Sequence, residues 1–107
     1  MRPFVILTVF LSLALSPSHV FEPADIIGKW STGYSTIFFR ADFTAEYWLN
    51  DEGGTATWKL TKDGKIVQNQ FYHGRNHRFI DRITRFTPTQ LHVHTSEGRD
   101  EVWSRIK

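Results

Sequence analysis

Between residues 73 and 94 the chain carries four histidines (His73, His77, His92, His94), four arginines (Arg75, Arg78, Arg82, Arg85) and a single carboxylate, Asp81. His92 and His94 are two residues apart, so on a strand both rings leave the same face, while His73 and His77 straddle Gly74. Imidazoles spaced in this way can share a zinc or copper ion, which makes these four the candidate metal ligands. A metal site needs three or four converging donors, and no cysteine or clearly placed carboxylate completes this set. The expectation is therefore surface histidines and no metal. Asp81 has the strand parity of Phe79 and Ile83, and an inward carboxylate requires a partner. Arg40 or Arg105 is expected to supply it in a structural salt bridge, with ordinary surface pairing as the alternative. Asp42 and Glu46 flank a turn and read as solvated rather than as an acid and base pair.

The remaining chemistry is defined by what the sequence lacks. It contains no cysteine nucleophile, no G-x-S-x-G, no glycine-rich phosphate loop and no H-E-x-x-H. The chain is read as non-enzymatic, with no cofactor.

The elements that must position these groups are short. Beyond a possible helical turn in "FEPADII", no window holds a helical period, and runs rich in β-branched and aromatic residues recur instead. Eight strands are predicted, over residues 29–33, 35–41, 44–49, 55–60, 65–71, 77–84, 90–95 and 100–105. The links "NDEGG", "TKDG", "YHGRN", "FTPT" and "SEGR" are too short for parallel crossovers, so successive strands must pair antiparallel. An eight-stranded meander hides its two edges by closing, which predicts an all-β, up-and-down antiparallel barrel; a sandwich of four plus four strands is the alternative. Alternation turns Ala45, Tyr47 and Leu49 to one face, and likewise Ala56, Trp58 and Leu60. Apolar residues of both parities in "STIFFR" and "HRFIDRITRF" predict a bulge in each.

At the N-terminus, Arg2 precedes an apolar run from Phe4 to Leu15, with Ser16 and Ser18 ahead of a cleavage point. This is the layout of a secretory signal over residues 1–18, too short to span a bilayer, with an uncleaved anchor as the rival reading. Residues 19–107 then form one domain, secreted or periplasmic, with no stable membrane insertion. Removing Arg2 lowers the formal charge from +2 to +1, far from the basicity of a nucleic-acid binder. With no cysteine to form a disulfide, the domain depends on its core, to which four Trp, three Tyr and seven Phe beyond residue 18 contribute about 150–250 Å² each.

On Gly28 and Trp30 (a G-x-W opening), "STIFFRADFTAEY", "TATWKL" followed by "DG", "ITRFTPTQLHV" and the closing "EVWSR", the chain resembles the small bacterial lipocalin-like proteins of the wider calycin group. The resemblance covers residues 26–106. It implies that Trp30 lies across the closed end of the barrel and that Arg105 of the last strand stacks over it. Independently, barrel closure sets the first and last strands side by side, and Trp103 and Arg105 share a parity on the last one. Gly28, Trp30, Trp103, Arg105 and Asp81 are thus read as structural.

Two functions compete. In the first, the domain is a binding module holding a small apolar ligand at the barrel mouth against Tyr47, Trp58 and Phe71. Strands of about six residues span only roughly 20 Å, so the cavity is expected to be small, shallow or filled. In the second, it binds another exported protein, as an inhibitor or immunity-type protein, through an outer face of Trp48, Arg78, Arg82, His92 and His94. Trp48 is outward if Tyr47 is inward, and it either stays exposed or is covered by "FEPADII" folding back.

Overall fold

Two-residue turns, short polar loops and strand-forming runs leave the chain little choice but to pair each strand with the next. The computed structural model describes residues 20–107, so the expected secretory signal lies outside the described residues. A short helix α1 (Pro23–Ile26) leads into eight strands, β1 (Gly28–Ser31), β2 (Ser35–Phe39), β3 (Thr44–Leu49), β4 (Glu52–Leu60), β5 (Lys65–Tyr72), β6 (Arg75–Phe86), β7 (Gln90–Thr95) and β8 (Asp100–Ile106). They form a closed antiparallel barrel in sequence order. Closure is made by β1 against β8, with Trp30 opposite Arg105 and Ser31 opposite Ser104.

The strands are less uniform than the expected runs. β4, β5 and β6 hold 9, 8 and 12 residues. Expected linkers are drawn into strands because Gly53 and Gly54 pair with Trp48 and Tyr47, and Arg75 and Asn76 with Tyr72 and Phe71. The β5–β6 turn shrinks to His73 and Gly74, with φ of 52° and 74°, which suits a two-residue hairpin. One of the two expected bulges is present, between Ile83 and Arg85, and it returns Phe86 toward the core opposite Leu91. β2 has none: it pairs in regular register, Ile37 and Phe39 are buried, and half-buried Phe38 lies beneath the cations of Lys29 and Arg40 at 5.7 and 5.0 Å.

The meander puts α1 and the β2–β3, β4–β5 and β6–β7 connections at one end, and the other four turns at the opposite end. The first end is sealed by aromatic packing. Phe39 meets Trp58 edge-on at 5.2 Å and stacks near Trp103 at 6.4 Å, and Phe43 lies 5.2 Å from Trp58. Trp30 is fully buried and donates from its indole to the Ile26 carbonyl at 2.8 Å. Phe21 packs edge-on against Phe86 at 6.3 Å, so the N-terminal segment docks at this closed end.

Arg105 spans the same end. Its guanidinium carbon is 4.2 Å from the Trp30 ring, and its nitrogens donate to the carbonyls of Ile27, Asp25 and Pro88 at 2.8–2.9 Å. It is fully engaged there, as Arg40 is by its ion pair with Glu46, so neither serves as the expected partner of Asp81. Gly28 is a glycine for a spatial reason: at φ 130° an added Cβ would come 2.6 Å from Arg105 Nη1.

Candidate functional site

Because one end is plugged, the extra length of β4–β6 opens a cup at the other, with a volume of about 380 Å³. Its wall is aromatic, from Tyr34, Tyr47, Phe79 and Trp103, but its ionisable groups are mainly acidic. Asp81, Glu52, Glu97 and Glu101 face Arg99 and His77. Alternation explains the inward direction of Asp81, since it pairs with Ile66 on β5 and Thr95 on β7, both buried.

Asp81 is 6% exposed and Gln68 2%. The Gln70 amide donates to Gln68 Oε1 at 3.1 Å, and the Gln68 side chain in turn bonds the Asp81 carboxylate. That neutral contact is outweighed. Burial, with the like charges of Glu101 and Glu97 behind it, raises the Asp81 carboxyl from its ordinary value to about 6. Among the described residues Asp81 makes no ion pair.

The cup's cation is committed to the rim. Arg99 Nη2 lies 3.1 Å from Glu97 Oε1 and 3.2 Å from Glu101 Oε2, and it donates to the Tyr34 hydroxyl at 3.2 Å. Tyr34 donates to the same Glu101 oxygen at 2.9 Å, while the other accepts the Trp103 indole N–H at 2.9 Å. Burial pushes the Glu101 carboxyl upward, but the bonds from Trp103, Tyr34 and Arg99 prevail and hold it below its ordinary value. Glu101 is therefore an ionised latch tying β8 to the β1–β2 and β7–β8 turns.

Of the three residues expected to hold a ligand, only Tyr47 lines the cup. Trp58 is buried at the sealed end, where its indole donates to the Arg40 carbonyl at 3.0 Å. Phe71 is 57% exposed, because pairing with β6 turns Ile66, Gln68 and Gln70 inward and sends Phe71 out. Alternating "IVQNQ" already contained Gln68 and Gln70 at the parity of Ile66, which was the signal missed. Glu101 and Tyr34, 67 positions apart, carried no local signal at all.

Of the outer-face residues, Arg78, Arg82, His92 and His94 share the outer face of the neighbouring β6 and β7, and Trp48 stands apart from them. Arg82 lies opposite His94 across β6–β7, His94 Nδ1 is 2.8 Å from Asp100 Oδ1, and Arg78 is also exposed on β6. His92 pairs opposite Arg85, His77 lines the cup and His73 is in a turn, so the four histidines do not converge. Among the described residues no group of three metal-ligating side chains assembles. Trp48 is 40% exposed on β3, with β4 and β5 between it and the arginines.

Trp48 has a structural task where it stands. An added Cβ on Gly53 would lie 2.9 Å from its indole nitrogen, and one on Gly54 would come within 2.4 Å of the Tyr47 ring. Two adjacent aromatics thus cover two adjacent glycines, one pair on each face of the sheet. Gly54→Ala is expected to displace Tyr47 and cost about 1–3 kcal/mol in urea unfolding. Paired with Tyr47→Ala, its cost is expected to shrink by more than half, whereas additive losses would show that the ring does not need the glycine.

The class of protein this fold defines is the small eight-stranded antiparallel barrel, closed at one end by aromatic side chains and open at the other. No family model matches the chain, nor does any curated protein or solved structure.

Proposed function

We propose that this chain is a secreted or periplasmic, non-enzymatic binding module of the small lipocalin-like kind, and that its cup takes a small molecule. The observation carrying this reading is the cup itself: about 380 Å³ of space walled by aromatic rings, in the range of small-ligand sites and open to one end of a plugged barrel. The G-x-W opening and the Trp30–Arg105 stack support the lipocalin-like assignment, and the apolar run from Phe4 to Leu15 behind Arg2 supports export. The alternative is an outer face docking another exported protein: it is supported by Trp48, which is 40% exposed, but Trp48 stands on β3, apart from the arginines and histidines of β6 and β7.

The four tryptophans provide a site-resolved test. In ¹⁵N-edited NMR spectra, a mixture of small aromatic and amphiphilic compounds is expected to shift the Trp103 indole signal in the cup and leave the Trp30 and Trp58 signals in place. Movement of the Trp48 signal alone would refute the cup and favour the outer face.

A further inference from the structure

The cup is built with a charge it does not neutralise. Asp81 lies at its wall, nine-tenths buried, with a neutral amide as its partner and no cation paired to it among the described residues. The titratable and charged groups facing it come from every side: Glu101 on β8, Glu97 and Arg99 on the β7–β8 turn, Glu52 on β4 and His77 on its own strand. Arg99 is already shared between Glu97, Glu101 and Tyr34, so the field inside the cup is negative. A concave wall of low polarity focuses such a field instead of letting water screen it. An anionic ligand would meet three or four carboxylates. A neutral one would leave Asp81 uncompensated.

Building on the small-molecule reading of the cup, we propose that its ligand is a small aromatic amine bound as the cation, with its ammonium group paired to Asp81 and its ring against Tyr47, Phe79 and Trp103. The pairing supplies the cationic partner that none of the described residues gives Asp81. The surrounding rings suit both halves of such a molecule, the apolar body by packing and the ammonium by cation–π attraction. Protonation gives the preference a pH signature. Asp81 takes up a proton as pH falls through about 6. The amine stays charged throughout that range, so attraction is lost on the acid side.

Three probes of nearly the same shape separate the elements of this proposal: phenethylamine, 2-phenylethanol and 3-phenylpropionate, a cation, a neutral molecule and an anion. In calorimetric titrations of the full domain at pH 7.5, phenethylamine is expected to bind roughly tenfold or more tightly than either of the others. The preference is expected to fall away below about pH 6 and to vanish in Asp81→Asn. Asp81→Asn is also expected to bind 2-phenylethanol at least as tightly as the native protein does, because a neutral ligand no longer leaves a buried carboxylate uncompensated, and that binding shows that the cup is intact. Equal or tighter binding of the neutral or anionic probe by the native protein would overturn the amine assignment while leaving the cup as a ligand site. No binding of any probe up to about 10 mM would overturn both.

Discussion

Trp30→Ala is expected to lower the unfolding free energy by about 3–5 kcal/mol, a large share of what a domain of this size possesses. The side chain is fully buried in the sealed end, so truncation leaves a cavity that α1, β1 and β8 cannot close without breaking the barrel seam. It also removes the indole donor from the Ile26 carbonyl and the ring beneath the Arg105 guanidinium. Trp30→Phe separates these contributions: most of the packing is kept and the donor is lost, for an expected cost of about 1–2 kcal/mol. Urea unfolding followed by far-UV circular dichroism reads both. A loss below about 1 kcal/mol for Trp30→Ala would show that the ring does not plug the barrel.

The second large effect has the opposite sign. Asp81→Asn is expected to stabilise the protein by about 2–3 kcal/mol near pH 8 and to leave it nearly unchanged below about pH 4. The carboxyl binds its proton more tightly folded, at about 6, than at its ordinary value of 3.8. Between those values the native state holds more protons than the unfolded one, so stability declines as pH rises through that window. Above it the deficit is complete, because a charge has been kept in a poorly solvated wall. Asparagine is nearly the same shape, cannot ionise and can still bond Gln68. Unfolding midpoints measured from about pH 3.5 to 8 test this, and a difference that does not vary with pH would place the carboxylate in water. A residue that costs stability near neutral pH is a mark of binding sites rather than of cores, which ties this measurement to the proposed amine pairing.

Much of the framework was legible because it depends on local periodicity. Eight runs ended by turn residues, each too close to the next for a crossover, specify antiparallel neighbours, and the count makes closure the economical solution. The mixed parity of "HRFIDRITRF" pointed to the bulge found between Ile83 and Arg85. The same argument failed in "STIFFR" because Lys29 and Arg40 reach over Phe38 and remove the need to bury it. Asp81 was legible as inward, but its surroundings were not.

Alternation states which face of a strand a residue occupies, and it says nothing about height along the barrel. Trp58 and Tyr47 both point inward, yet one seals the bottom and the other walls the cup, because strand stagger sets their levels. In β5 both parities carry apolar residues, so the choice between Phe71 and Gln68 fell to the pairing with β6. The pattern of residues 20–107 thus determined strands, their order and their closure, while the place of Trp30 at the closed end was what the resemblance to lipocalin-like proteins implied. Tertiary structure alone decided that the barrel is hollow, that its rim is latched by Glu101, Tyr34 and Arg99, and that Asp81 pairs with no cation among the described residues. The reason is range: periodicity acts over a few residues, whereas the groups of the cup lie up to 67 positions apart and meet only when β1 closes on β8.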